Sequence, residues 1–214
     1  DVLQTDDVDI LILNRAPATV AEAAMEGMPL VVKDRSLWTR FWRVISSAAE
    51  EYRRFVDDFY AIGQRSHSLA ERDREDLQRT IQFMEEQLRL TDVYRRFTQA
   101  EFEAEPRKRN EMERWLENVM NAIIDISKVV LGSKKTLIPH TYKSMVRRAV
   151  HEFGLSEDCA EQFENWVKIR NELAHEYLDI KWNRISEFAR ASEEPLNQFV
   201  TAAKKFLDEE TTGS

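Results

Sequence analysis

Apolar side chains return every three or four positions along most of this chain. Leu37, Phe41, Val44, Ile45, Ala48, Tyr52, Phe55 and Phe59 follow a 3.6-residue period. The spacing predicts a long helix, capped by Asp34 or Ser36 and running to about Ile62. Similar patterns predict helices near 70–89, 91–104, 107–131, 140–153, 157–175 and 183–208. Trp115, Val119, Ala122, Ile123, Ile126 and Val130 share one face of the 107–131 helix. Phe163, Trp166, Val167 and Ile169 point inward from the 157–175 helix. Aromatic residues at this spacing are core. Pro106, Gly132 and Pro139 punctuate the pattern. Residues 70–208 are therefore expected to form an antiparallel helical bundle, with 209–214 as a frayed tail.

The first 65 residues read differently. The run Val8-Asp9-Ile10-Leu11-Ile12-Leu13 suits a short buried strand. Asn14 to Pro17 reads as a turn, and Pro17 can open a short helix that closes near Glu26 and Gly27. Leu30 to Val32 reads as a second strand. Gly63 to Ser68 is the best candidate linker. The expected fold is mainly α, with a small incomplete α/β segment over 1–65 ahead of the bundle.

Composition agrees with helices: 214 residues hold only five glycines and five prolines, and 33% are charged. No stretch approaches the ~20 apolar residues of a membrane span. One cysteine, Cys159, excludes an internal disulfide framework, fits a reducing cytoplasm and is expected to pack in the core. The chain starts at Asp1 rather than Met, as a fragment or a processed product would. A net charge of −8 argues against indiscriminate nucleic-acid binding. Locally the balance reverses, because no acidic residue lies between Asp125 and Glu152. Lys143, Arg147 and His151 recur every four residues on one helix face, and Arg148 is adjacent. That face could contact an RNA backbone, or could simply be solvated.

The chemistry concentrates in Arg170-Asn171-Glu172-Leu173-Ala174-His175-Glu176-Tyr177. An arginine stays charged and can hold a phosphate through a planar fork of donors. A histidine can move a proton near neutral pH, from a ribose 2′-hydroxyl or to a leaving 5′-oxygen. Five residues along a helix rotate the side chain by about 140°. Arg170 and His175 therefore do not share a face of a regular helix. Either the helix ends near Ala174, or the site is composite. No paired-cysteine or His-x-x-x-His metal site, glycine-rich phosphate loop or serine-nucleophile elbow is visible.

This segment resembles the signature of the HEPN family, most closely the toxin half of HEPN–minimal nucleotidyltransferase toxin–antitoxin pairs. The layout from about Asp73 to Glu209 is similar as well. It includes the helix with Trp115, Ile123, Ile124 and Ile126, the Pro139-His140-Thr141-Tyr142 connector and the motif helix. The resemblance implies a metal-independent, cofactor-free endoribonuclease. Arg170 and His175 would be catalytic, Asn171 would orient the histidine or the phosphate, and two motif helices would meet in a homodimer. It also implies that Tyr177 accepts AMP from a partner nucleotidyltransferase antitoxin, as a means of neutralisation.

Residues 1–65 resemble the C-terminal part of a minimal nucleotidyltransferase, with Asp9 at the position of that family's third metal-binding carboxylate. Its Gly-Ser turn and Asp-x-Asp pair are not in this chain, so transferase activity is not expected from it alone. Alternatives stay open. Arg170 and His175 could be polar residues closing a core helix, with His175 capping its last carbonyls. Tyr177 could pack on Trp182. The whole chain could be a non-catalytic binding or dimerisation module that serves a nucleotidyltransferase half. The intact motif favours the enzyme; the acidic charge and the incomplete first segment favour the module.

Overall fold

The computed structural model describes residues 11–13, 16–65, 69–175 and 182–212; for 171–175 and 211–212 it describes the backbone only. These residues form ten helices and, among them, no strand: α1 (Ala18–Met25), α2 (Arg35–Arg65), α3 (Glu71–Leu88), α4 (Thr91–Arg95), α5 (Gln99–Ala104), α6 (Pro106–Ser133), α7 (Tyr142–Glu152), α8 (Glu157–His175), α9 (Trp182–Ala191) and α10 (Glu193–Thr212). The chain divides into two compact units between Asp58 and Phe59, inside α2.

In the first unit α1 buries Ala21 and Met25, and α2 buries Ala49 and Phe55. Glu22 of α1 pairs with Arg53 of α2 at 2.5 Å. Asp34 caps α2, its Oδ1 accepting from the Leu37 amide at 2.9 Å. The strand expected at 30–32 is not formed. Leu30 and Val31 are exposed in irregular chain, because no strand among the described residues offers their backbone a ladder. Half of the other expected strand, residues 8–10, lies outside the described residues, and its other half, 11–13, is not in a strand.

The second unit is a helical bundle built around α6. From Val119 to Gly132, α6 is buried everywhere except at Asn121, Asp125 and Lys128, which form one narrow polar stripe. The expected core face of α6 is buried as read, and so are Phe163, Trp166, Val167 and Ile169 of α8. Helix α3 packs on α6 and α10, and α7 on α6 and α8. Cys159 is buried at the start of α8, and burial pushes its thiol up.

Several boundaries differ from the sequence reading for identifiable reasons. The helix expected over 91–104 breaks at Thr98. There Thr98 caps α5 in a reciprocal box with Glu101, the Glu101 amide donating to Thr98 Oγ1 and the Thr98 amide to Glu101 Oε2. The helix expected over 183–208 breaks at Ser192, because Pro195 has no amide hydrogen and its ring would collide with the carbonyl of residue 191 in a continuous helix. Residues 209–212 are not a frayed tail. α10 runs to Thr212, and Glu210 accepts from the Leu69 amide at 3.1 Å.

Gly63 does not open a linker. It is helical, and it lies where the end of α2 crosses the end of α6. A Cβ at Gly63 would stand 3.2 Å from the Gly132 carbonyl oxygen. A Cβ at Gly132 would stand 3.1 Å from Ile62 Cγ2 and 3.2 Å from the Phe59 carbonyl oxygen. Alanine ordinarily gains about 1 kcal/mol over glycine inside a helix. Here the obstacles include backbone atoms that cannot swing aside, and overpacking typically costs about 1–3 kcal/mol. Gly132→Ala is therefore expected to lower stability. Chemical denaturation showing a raised midpoint would contradict this account of the crossing.

Candidate active site

Arg170 lies on α8 beyond Phe163, Trp166 and Val167, and only 7% of it is exposed. A guanidinium cannot shed its proton, so burying it requires partners. Its Nε donates to Oδ1 of Asn121 on α6 at 3.0 Å. Its Cζ stands 5.6 Å from the ring centroid of Tyr142 on α7. A desolvated cation over an aromatic face is worth roughly 1–2 kcal/mol, and a hydrogen bond to a charged donor roughly 1.5–3 kcal/mol.

The local sequence explains both partners. Thr141 caps α7: its Oγ1 accepts from the Ser144 amide at 3.1 Å, and its own amide donates to Ser144 Oγ at 3.2 Å. That box fixes where α7 starts, and Tyr142 is its first residue. The Pro139-His140-Thr141-Tyr142 connector thus delivers a ring to the arginine. Asn121 belongs to the polar stripe that interrupts the buried surface of α6. Three helices converge on one cation, and the donor plane of Arg170 is oriented by Asn121.

The backbone of α8 remains helical through His175. His175, one residue past Ala174, is the last described residue of α8, and the backbone positions 170 and 175 sit about 140° apart on the helix. The side chains of Asn171 and His175, and Tyr177 entirely, lie outside the described residues.

The basic face of α7 is engaged by carboxylates of α8. Lys143 Nζ stands 3.1 Å from Glu164, and Arg147 pairs with both Glu164, at 3.2 Å, and Glu157. His151 stands 3.2 Å from Glu157. Arg148 is exposed and donates to the Leu137 carbonyl at 3.2 Å. Among the described residues no three His, Cys, Asp or Glu side chains form a metal-holding group. None of the described helices is long and apolar enough to cross a membrane.

Comparison with known proteins gives the family. A family model described as Ribonuclease HepT-like matches residues 84–203, more than half of the chain, and the match spans α6, α7 and all of α8. The chain belongs to this HEPN-type family, whose activity is RNA cleavage. A solved structure, the cytosolic protein of unknown function YutE from Bacillus subtilis, is similar with a TM-score of 0.56. It is 20% identical, and the match covers 64% of this chain and 92% of that one; at this identity it shows a shared fold. No curated protein matches.

Asn121 is the site residue that sequence reading missed. The signal was present, since a lone Asn interrupts an otherwise apolar run, but its partner lies 49 positions away. Asn121→Ala is expected to destabilise the protein by about 1–3 kcal/mol, because it removes an acceptor from a buried guanidinium. Arg170→Lys should fare no better, as an ammonium cannot reproduce the planar Nε contact. Urea titrations of both variants check this; a midpoint unchanged in Asn121→Ala would contradict it.

Proposed function

We propose that this protein is a metal-independent endoribonuclease of HEPN-toxin type. Arg170 holds the scissile phosphate and stabilises charge developing on the phosphorane. His175 serves as general acid and base. The ribose 2′-oxygen loses its proton and attacks the adjacent phosphorus. The bond to the 5′-oxygen breaks, that oxygen takes a proton, and a 2′,3′-cyclic phosphate remains. Asn171 orients the histidine or the phosphate. The observation that carries the reading is the buried Arg170 held by Asn121 and Tyr142, inside the stretch matched to a ribonuclease family.

The 140° offset between the two motif positions is met by a symmetric homodimer in which motif helices of two copies supply one cleft. Lys143, Arg147, Arg148 and His151 are candidate contacts to the RNA backbone. The pairs that engage three of them are partly exposed, and such pairs are weak enough, ~0–1 kcal/mol, for a phosphate to displace. Residues 1–65 are read as a nucleotidyltransferase remnant. Tyr177 is read as an AMP acceptor: the adduct would place negative charge beside the phosphate-binding arginine and oppose RNA.

Two measurements test these roles. Cleavage of a labelled RNA in EDTA should fall about a hundred- to ten-thousand-fold in His175→Ala, with a comparable loss in Arg170→Ala. Cleavage retained in both variants refutes the mechanism. Incubation with a complete nucleotidyltransferase, ATP and Mg²⁺ should add one AMP by intact mass, and Tyr177→Phe should abolish it. An adduct that persists in that variant removes Tyr177 from the scheme.

A further inference from the structure

A cleft of about 780 Å³ opens between the end of α3, α4 and the first half of α6. It is a shallow, open groove rather than an enclosed pocket. Its wall carries Tyr94, with Asn110, Asn118, Arg107 and Arg114 along α6. Tyr94 is half-buried and stacks on Trp115, centroids 4.8 Å apart and planes 26° apart. Trp115 is almost fully buried, and its Nε1 donates to the Gln87 carbonyl at 2.9 Å. The tyrosine is thus a ring braced from behind by a fixed indole. Burial, and then the nearby Glu111, push its phenol up, which keeps the ring neutral. A larger cleft, about 860 Å³, between Arg95 and Lys205 is lined by no aromatic residue.

The α6 wall of the cleft and the candidate active site lie along one helix face. Positions 107, 110, 114, 118 and 121 of α6 fall within about 80° of arc at 100° per residue. Asn121 is the residue that holds Arg170. At 1.5 Å rise per residue, Arg114 is about 11 Å and Asn118 about 5 Å from Asn121 along the axis. Those separations correspond to roughly one to three stacked nucleotide steps. The cleft's cations pair with carboxylates of α6: Arg107 with Glu111 at 2.9 Å, and Arg114 with the part-exposed Glu117 at 2.8 Å. Exposed pairs of this kind exchange readily for a phosphate.

We propose that this cleft is a nucleotide subsite for single-stranded RNA, one to three residues from the phosphate held by Arg170. Tyr94 stacks on an unpaired base, Asn110 and Asn118 offer amide groups to its edge, and Arg107 and Arg114 take the flanking phosphates. Glu111 and Glu117 are displaced from their arginines when RNA binds. The inference rests on the ribonuclease reading for its substrate class.

The test is direct binding of a fluorescein-labelled, fully 2′-O-methylated 12-mer, which lacks the attacking hydroxyl, read by anisotropy. The wild-type protein should bind it. Tyr94→Ala should weaken binding roughly 5- to 150-fold, the range for loss of one stacked base. Tyr94→Phe should bind like wild type. Arg114→Gln, an exposed change that leaves the core intact, should weaken binding and lower the salt slope by about 0.7. Wild-type protein that fails to bind, or Arg114→Gln with an unchanged affinity and salt slope, overturns the subsite. So does a folded Tyr94→Ala that binds within twofold of wild type. Cleavage of ordinary RNA by Arg170→Ala and His175→Ala is scored separately. If they still cleave while the Tyr94 and Arg114 variants bind poorly, the subsite stands and the mechanism falls. If they are inactive while both cleft variants bind normally, the mechanism stands and the subsite falls.

Discussion

Aromatic rings in contact run through the bundle and set the rotation of the helices that carry them. Tyr94 stacks on Trp115, Trp115 meets Phe188 at 5.3 Å, and Phe188 meets Trp166 edge-on at 5.2 Å. Trp166 touches Phe163 at 5.1 Å, which reaches Phe199 at 5.2 Å and, through it, Phe153 at 5.1 Å. The rings tie α4, α6, α9, α8 and α10 together with the end of α7. Each pair adds roughly 0.5–1.5 kcal/mol beyond its buried area. Trp166 also fixes the angular setting of α8. Arg170 follows four residues later, one turn on and on nearly the same face. Packing of Trp166 therefore aims the guanidinium at α6 and α7. The cation's place is a consequence of hydrophobic packing, and its two polar contacts complete that placement.

The charge distribution has a related logic. The chain is acidic overall, yet its basic residues on α7 occur in a stretch without acidic neighbours in sequence. In space the carboxylates of α8 supply them, because α7 and α8 pack against each other across the short turn at Gly154. Glu164 serves Lys143 and Arg147 together. A surface that reads as strongly positive along the chain is thus partly neutralised in the folded protein.

Much of the bundle was legible in the sequence, since a 3.6-residue period over long amphipathic segments reports one buried face directly. Trp115 and Ile123 on α6, and Phe163 and Trp166 on α8, needed nothing more. Arg170 could be singled out too, because its spacing to His175 and the residues around both resemble a family pattern. What could not be read was set by distance or by backbone detail. The partnership of Arg170 with Asn121 spans 49 positions, and no local rule links them. The break at Thr98 depended on whether a threonine inside an apolar-periodic run would cap rather than continue, and the break at Ser192 on the reach of Pro195. Gly63 looked like the start of a linker because glycine often punctuates a helix. Its small size serves a helix crossing instead. The strand expected at 30–32 failed because three residues without a ladder cannot hold an extended form.

The contact between Leu69 and Glu210 joins positions 141 residues apart, at the start of α3 and the end of α10. Arg74 strengthens it by reaching the Glu210 carbonyl at 3.4 Å. The polypeptide thus enters and leaves the stretch from α3 to α10 at almost the same point. A body with adjacent ends behaves as a cassette: it can be spliced into a loop of a host protein with little distortion of either. The same closeness suits circular permutation, with the old ends bridged by a few residues and new ones cut at the Gly154 turn.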